Sequence, residues 1–166
     1  MDPLQVSLRI LHIVFGTFWA GTTFFLVLVL EPRLRRLEPA ISHPVWGALV
    51  PVVTPMMMLR SLVVLGTGVA AALILRWGML GDFLTSGWGW AMLVGFVATI
   101  GAMVAGFGLM APAGMRMEKL GKAIQGRAPS ADEASQLASL TARIETLSRT
   151  NFVFILVAVG AMAAAR

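Results

Sequence analysis

Four long apolar runs constrain this chain more than any other feature. They cover residues 4–30, 46–76, 88–111 and 146–165. About 20 apolar residues of α-helix cross the hydrocarbon core of a bilayer. With no water there, every backbone amide must bond within its own helix. The runs therefore predict an all-α fold, an integral membrane four-helix bundle that takes in residues 1–166 as a single transmembrane domain. Charged residues make up only 13% of the chain, against roughly 25% in soluble domains. The first run is too long for a signal-peptide core and no clear cleavage site follows it, so it reads as a retained span. Cysteine is absent, which excludes disulfides, thiolate metal sites and cysteine nucleophiles.

The net charge of +5 is sorted by side rather than spread, so it is no sign of a nucleic-acid partner. Arg33, Arg35 and Arg36 lie in the first connection; Arg116, Lys119, Lys122, Arg127, Arg143 and Arg149 lie in or beside the third. The opposite side holds Arg9, Arg76 and Arg166, and Arg60 falls inside the second run. By the positive-inside rule the first and third connections face the cytoplasm and both termini face outward. Trp77, Trp88 and Trp90 fit an aromatic belt at the outer interface and Trp46 fits the inner one. The expected setting is a bacterial cytoplasmic (inner) membrane, with the lipid bilayer as partner and a homo-oligomer or larger membrane complex as a further possibility.

The third connection, residues 112–145, carries its own helical pattern. Met117, Leu120 and Ile124 recur at helical spacing after Pro112, and the "GRAP" stretch from Gly126 to Pro129 breaks the chain. Ser130 and Glu133 form a capping-box pattern, followed by Leu137, Leu140, Ile144 and Leu147 on one face. This predicts a cytoplasmic helical hairpin extending the third and fourth helices, its apolar faces packed on each other or offered to a partner. Small residues form rows in two spans: Ala98, Ala102 and Gly106 in the third, Gly66 and Ala70 in the second. Such rows let membrane helices approach closely. Packing within one bundle, an oligomer seam and a flat cofactor all remain open for them.

Chemistry is sparse. No carboxylate falls inside a span: Glu31, Glu38 and Asp82 lie at or beyond span ends, which argues against a carboxylate proton relay. No hydrolase constellation or phosphate loop is present, and no catalytic residue can be named. The conspicuous residue is His12, about 12 Å into the first helix. Ionisable groups at that depth are costly and functional by default, and imidazole is a common metal and haem ligand. Gly16 and Ala20 fall on nearly the same face and would leave a shallow trough beside the ring. The alternative is a histidine hydrogen-bonded to a neighbouring helix. His43 lies beyond the far end of the first helix, too distant to share an iron with His12. At the depth of His12 the helices entering from the same face offer Met92 and Met162 as a sixth ligand; a five-coordinate iron or a histidine from another subunit would also serve. Arg60 needs either an exit to the interface by snorkelling or an external anion such as a haem propionate. The Met56–Met58 run could suggest Cu(I), but consecutive helical residues diverge by about 100° and cannot all face one ion.

The stretch "LHIVFGTFWAG", with His12, Trp19 and Gly21, followed by "EPRL" with Pro32, resembles the first helix of a family of bacterial membrane proteins. It includes the copper-resistance protein D domain and the HemJ-type protoporphyrinogen oxidases. "GTG" at Gly66–Gly68 adds a weaker likeness. The resemblance implies haem b bound at His12, with Trp19 in the same motif. Those oxidases also use a lysine in the third helix; here residues 88–111 contain none, which disfavours protoporphyrinogen oxidation and a stand-alone enzyme. The expected function is haem b binding for electron transfer or as a subunit of a membrane redox complex. The alternatives are a cofactor-free structural or accessory subunit and, third, copper handling.

Overall fold

The computed structural model describes residues 2–76 and 83–165, and within that range the side chains of residues 39, 40, 43, 75 and 76 are left aside. Trp77, Asp82 and Arg166 lie outside the described residues. Among the described residues, six α-helices and two π-helical segments follow in order: α1 Pro3–Phe25, a first π segment Leu26–Leu30, α2 Glu31–Leu34, α3 Pro39–Arg76, α4 Gly87–Met103, a second π segment Val104–Met110, α5 Ala111–Ala123 and α6 Ala131–Ala164. The described residues contain no strand, and the all-α four-helix architecture expected from the sequence is what the chain adopts. Four stretches are long and apolar enough to cross a membrane: Pro3–Leu34, Pro44–Ile74, Gly87–Ala123 and Ala131–Ala164. Large apolar side chains cover the outside, with Ile13, Phe18, Leu28 and Leu59 all more than half exposed. That inverts a water-soluble surface and fits a multi-pass membrane protein in contact with lipid.

The helices form two antiparallel pairs, α1 with α3 and α4 with α6. Where the pairs meet, Trp19 and Ala20 of α1, Val64 of α3, Ala102 of α4 and Ile155 of α6 make the core. Phe24 and Phe152 add an edge-to-face contact across α1 and α6, with centroids 5.2 Å apart. At the end that carries the first connection, Arg35 reaches Glu31 at 3.4 Å and Glu145 at 3.0 Å. There the Ser148 hydroxyl also donates to Glu31 at 3.3 Å. These contacts tie the first connection to α6.

The small-residue row of the third span has one use, packing within the bundle. Ala98, Ala102 and Ala105 are buried. A Cβ on Gly95 would stand 3.1 Å from the Met162 methyl, and one on Gly101 would stand 2.8 Å from the Phe154 ring. The row of the second span differs, because a Cβ on Gly66 would meet nothing within 4 Å. Its surface is left outside the bundle.

Both π segments sit just before a proline. Pro32 and Pro112 lack an N–H, so the carbonyls of Leu28 and Gly108 lose their i+4 donors. Widening the register by one residue re-aims the ladder: the Glu31 N–H bonds the Leu26 carbonyl and the Ala111 N–H bonds that of Gly106. Such bulges are how a membrane helix carries a proline without orphaning its backbone. Three further prolines, Pro44, Pro51 and Pro55, are carried inside α3.

The expected hairpin is present as α5 and the first half of α6, which pack together. Its turn passes through Gly126 at φ 86°, a left-handed conformation that glycine adopts without a Cβ penalty. Both halves of the capping box form: the Ser130 hydroxyl accepts from the Glu133 N–H at 3.3 Å, and the Glu133 carboxylate accepts from the Ser130 N–H at 2.8 Å.

Candidate functional site

His12 lies on the face of α1 that meets α3. Its Nδ1 is 3.0 Å from the Val64 carbonyl and 3.1 Å from the Thr67 hydroxyl. The tautomer follows from these partners. A carbonyl can only accept, and the Thr67 hydroxyl already donates to the Val63 carbonyl at 2.6 Å, so Nδ1 carries the proton and donates. Thr67 is free to bond back into its own helix because a threonine hydroxyl reaches the carbonyl four residues earlier. Gly68 completes the seat: a Cβ there would stand 3.0 Å from the imidazole Cε1 and 3.4 Å from Nδ1. A side chain there would push the ring back by a few tenths of an ångström, so glycine lets it lie this close to α3.

The other nitrogen, Nε2, is left with its lone pair. It makes no hydrogen bond among the described residues, yet it is not sealed off. The one buried, unpartnered side-chain polar atom among them is Asn151 Oδ1. His12 thus has one nitrogen anchored to a backbone carbonyl and the other without a protein partner among the described residues. Metal-ligating histidines are held this way: the non-ligating N–H donates to a carbonyl or carboxylate and fixes both tautomer and ring orientation.

Measured against models of known families, characterised proteins and solved structures, the chain matches none. The likeness of the first span to the haem-binding family therefore rests on its residues, and the geometry has to be weighed by itself.

The other residues singled out from the sequence are distributed differently. Gly16 faces Val64, whose Cγ2 is 3.9 Å from where a Cβ would be, and Ala20 is buried in the core beside it. The trough expected along Gly16 and Ala20 is filled by α3, because small residues on α1 draw the partner helix in. Trp19, 4% exposed, is the largest side chain of the core rather than a wall of an open site. Met162 packs its methyl on Gly95 in the α4–α6 seam, and Met92 is a half-buried residue of α4. Arg60 donates to the Thr22 hydroxyl at 2.9 Å and lies over the Phe18 ring at 5.4 Å. It reaches along α1 toward the end that carries the first connection. Its guanidinium is thus met within the helix pair by a hydroxyl and a ring face of α1. Met56 and Met58 are exposed while Met57 packs against the core, so the methionine run diverges and gathers no copper-like ligand set. His43 is in the first turns of α3, about 32 Å along that helix from Val64. No group of three or more His, Cys, Asp or Glu residues suited to a metal is found among the described residues.

Val64, Thr67 and Gly68 are the site residues that sequence reasoning did not assign. Thr67 and Gly68 were visible inside "GTG"; Val64 contributes only its carbonyl, which no sequence signal marks.

Proposed function

We propose that this protein binds haem b through Nε2 of His12 and serves electron transfer, alone or as a subunit of a membrane redox complex. The observation that carries the proposal is the division of labour on the imidazole: Nδ1–H is spent on the Val64 carbonyl, and Nε2 has no hydrogen-bond partner among the described residues. An unpaired polar atom there is costly, and a bond to iron would satisfy it. A bound haem would supply one-electron chemistry. The chain's own residues would hold the ring at Nδ1, fix its plane against Gly68 and raise its basicity through the carbonyl bond. Since α3 fills the space beside Gly16, the ring is offered at the edge of the α1–α3 pair. A second copy or a partner subunit covering that edge would enclose the cofactor. By the charge asymmetry, the protein sits in a bacterial cytoplasmic membrane with both termini outside. C-terminal reporter fusions active only in the cytoplasm would overturn that orientation.

A cofactor-free accessory bundle is the second reading, favoured by the same two contacts, which already tie α1 to α3. The haem-to-protein ratio of detergent-purified variants, made with ample haem supply and measured as the pyridine haemochrome, separates the two. Wild type should carry haem, His12→Ala should lose it, and His43→Ala should keep it. Added imidazole should restore binding to His12→Gly, which answers the objection of a misfolded variant. Full occupancy in His12→Ala, or no haem in well-folded wild type, would leave the accessory reading.

A further inference from the structure

At the junction of the second π segment with the hairpin, Arg116 of α5 and Arg143 of α6 line one small cavity of about 160 Å³. Its other walls are apolar or backbone: Gly108 and Leu109 of the π segment, Pro112 and Leu140. Two arginines lining one space would normally be neutralised by a carboxylate, and the carboxylates of α5 and the hairpin side of α6 that form ion pairs are engaged elsewhere. Glu118 pairs with Lys122 at 2.6 Å, Glu133 with Arg127 at 2.6 Å, and Glu145 with Arg35 at 3.0 Å. Arg116 and Arg143 make no ion pair among the described residues. The same holds for Arg33, Arg36, Lys119 and Arg149; Arg149 lines a separate open cavity on α6.

The depth of the cavity says what kind of anion it meets. Arg116 is the first charged residue after the apolar run that begins at Trp88. Leu109, on its wall, and Val104, one turn and a half earlier, are exposed at 40% and 52%. An apolar strip thus leads out of the hydrocarbon region into a doubly basic cavity at its boundary. That is the layout of a phospholipid: acyl chain below, phosphate above. Arginine suits the phosphate because its planar fork donates in parallel to two oxygens, and basic pockets between spans at the cytoplasmic face bind anionic headgroups on this principle.

We infer that the cavity between Arg116 and Arg143 binds the phosphate of an anionic phospholipid headgroup, with the acyl chain along Leu109 and Val104. The inference needs the membrane setting and not the haem reading. The test is native mass spectrometry of the full-length protein released from mixed micelles of phosphatidylcholine and phosphatidylglycerol. Wild type should retain phosphatidylglycerol in preference to phosphatidylcholine. The Arg116→Gln/Arg143→Gln variant should lose that preference about tenfold, while Arg33→Gln/Arg36→Gln, which removes equal charge at the same end, should keep it. The single variant Arg143→Lys, which keeps charge but not the fork, should fall between and guards against misfolding of the double variant. Equal loss in both double variants would reduce the effect to general basic charge and overturn the site. Displacement of the lipid by millimolar inorganic phosphate, with no dependence on acyl chains, would assign the cavity to a free phosphate instead. Absence of any preference in wild type would end the proposal.

Discussion

Between α1 and α3, two polar side chains cross the interface within the membrane-spanning length: His12 to Val64 and Thr67, and Arg60 to Thr22. Between α4 and α6, at the level of Gly95 to Gly106, no side-chain hydrogen bond does so. Thr99 bonds its own helix at Gly95, and the seam is closed by small residues that admit Met162 and Phe154. One pair is joined by polar contacts, the other by close approach. In lipid both means are available, because burying apolar surface gives no advantage between helices. The difference is one of means: the α4–α6 pair is closed by small residues, and the α1–α3 pair holds the polar side chains on which the proposed function rests.

The sharpest way to break this comparison is to overfill the seam. Ala102 is 1% exposed at the centre of the core. Ala102→Leu adds three carbons where none fit and should destabilise the bundle by about 1–3 kcal/mol. Gly66→Leu adds more atoms on a face with nothing within 4 Å and should be neutral or slightly stabilising through helix propensity. Reversible unfolding in mixed micelles, titrated with dodecyl sulfate, measures both. Equal effects would mean that α4 and α6 are not held by close packing, or that Gly66 faces a tight neighbour in an oligomer.

A smaller effect is expected in the polar pair. Double-mutant cycles in membrane helices average about 0.6 kcal/mol per hydrogen bond. The cycle of His12→Ala with Thr67→Val should give a coupling of that order in the cofactor-free protein. A coupling well above about 2 kcal/mol would make His12 chiefly a structural tie and weaken the case for a ligand. A coupling near zero would leave the ring anchored by Val64 alone.

How much of this was legible beforehand follows from the physics of each feature. The spans, the small-residue seam and the capping box are periodic or compositional, so they show in the chain. The hairpin needed only Ser130, Glu133 and Gly126 at the right spacing. The seat of His12 was half visible: the depth of the histidine is a sequence fact, but a carbonyl such as that of Val64 carries no side-chain signature. Reading Gly16 and Ala20 as a trough failed because small residues leave a gap only when no partner helix fills it. Asn151, 7% exposed with its Oδ1 unpartnered, passed unnoticed in an otherwise apolar run. The π segments before Pro32 and Pro112 were not legible, because Pro44, Pro51 and Pro55 are carried within an α-helix and a proline alone does not set the register.

The smallest expected effect lies where the α4–α6 pair leaves the apolar region. There the pair does use polar contacts, at the water-exposed tip of the hairpin. Arg127 donates to both Glu133 oxygens, at 2.7 and 2.6 Å. Those bonds, with the Ser130 N–H next, push the Glu133 carboxyl down to about 2 from an ordinary 4.5. A carboxyl depressed on folding contributes stability that is fully present above about 4.5 and lost as pH falls toward about 2. At physiological pH the box is therefore fully formed, and acid loosens it. The pair is exposed, so the change in global stability is small, as for surface ion pairs generally. The site itself should respond clearly. The carboxyl carbon resonance of Glu133 should titrate near 2 rather than near 4.5, and Arg127→Gln should move its midpoint upward toward the ordinary range. If Glu133 titrates near the ordinary 4.5 in wild type, the tip is frayed in solution. The polar reinforcement of the second pair would then vanish, leaving close packing as its sole support.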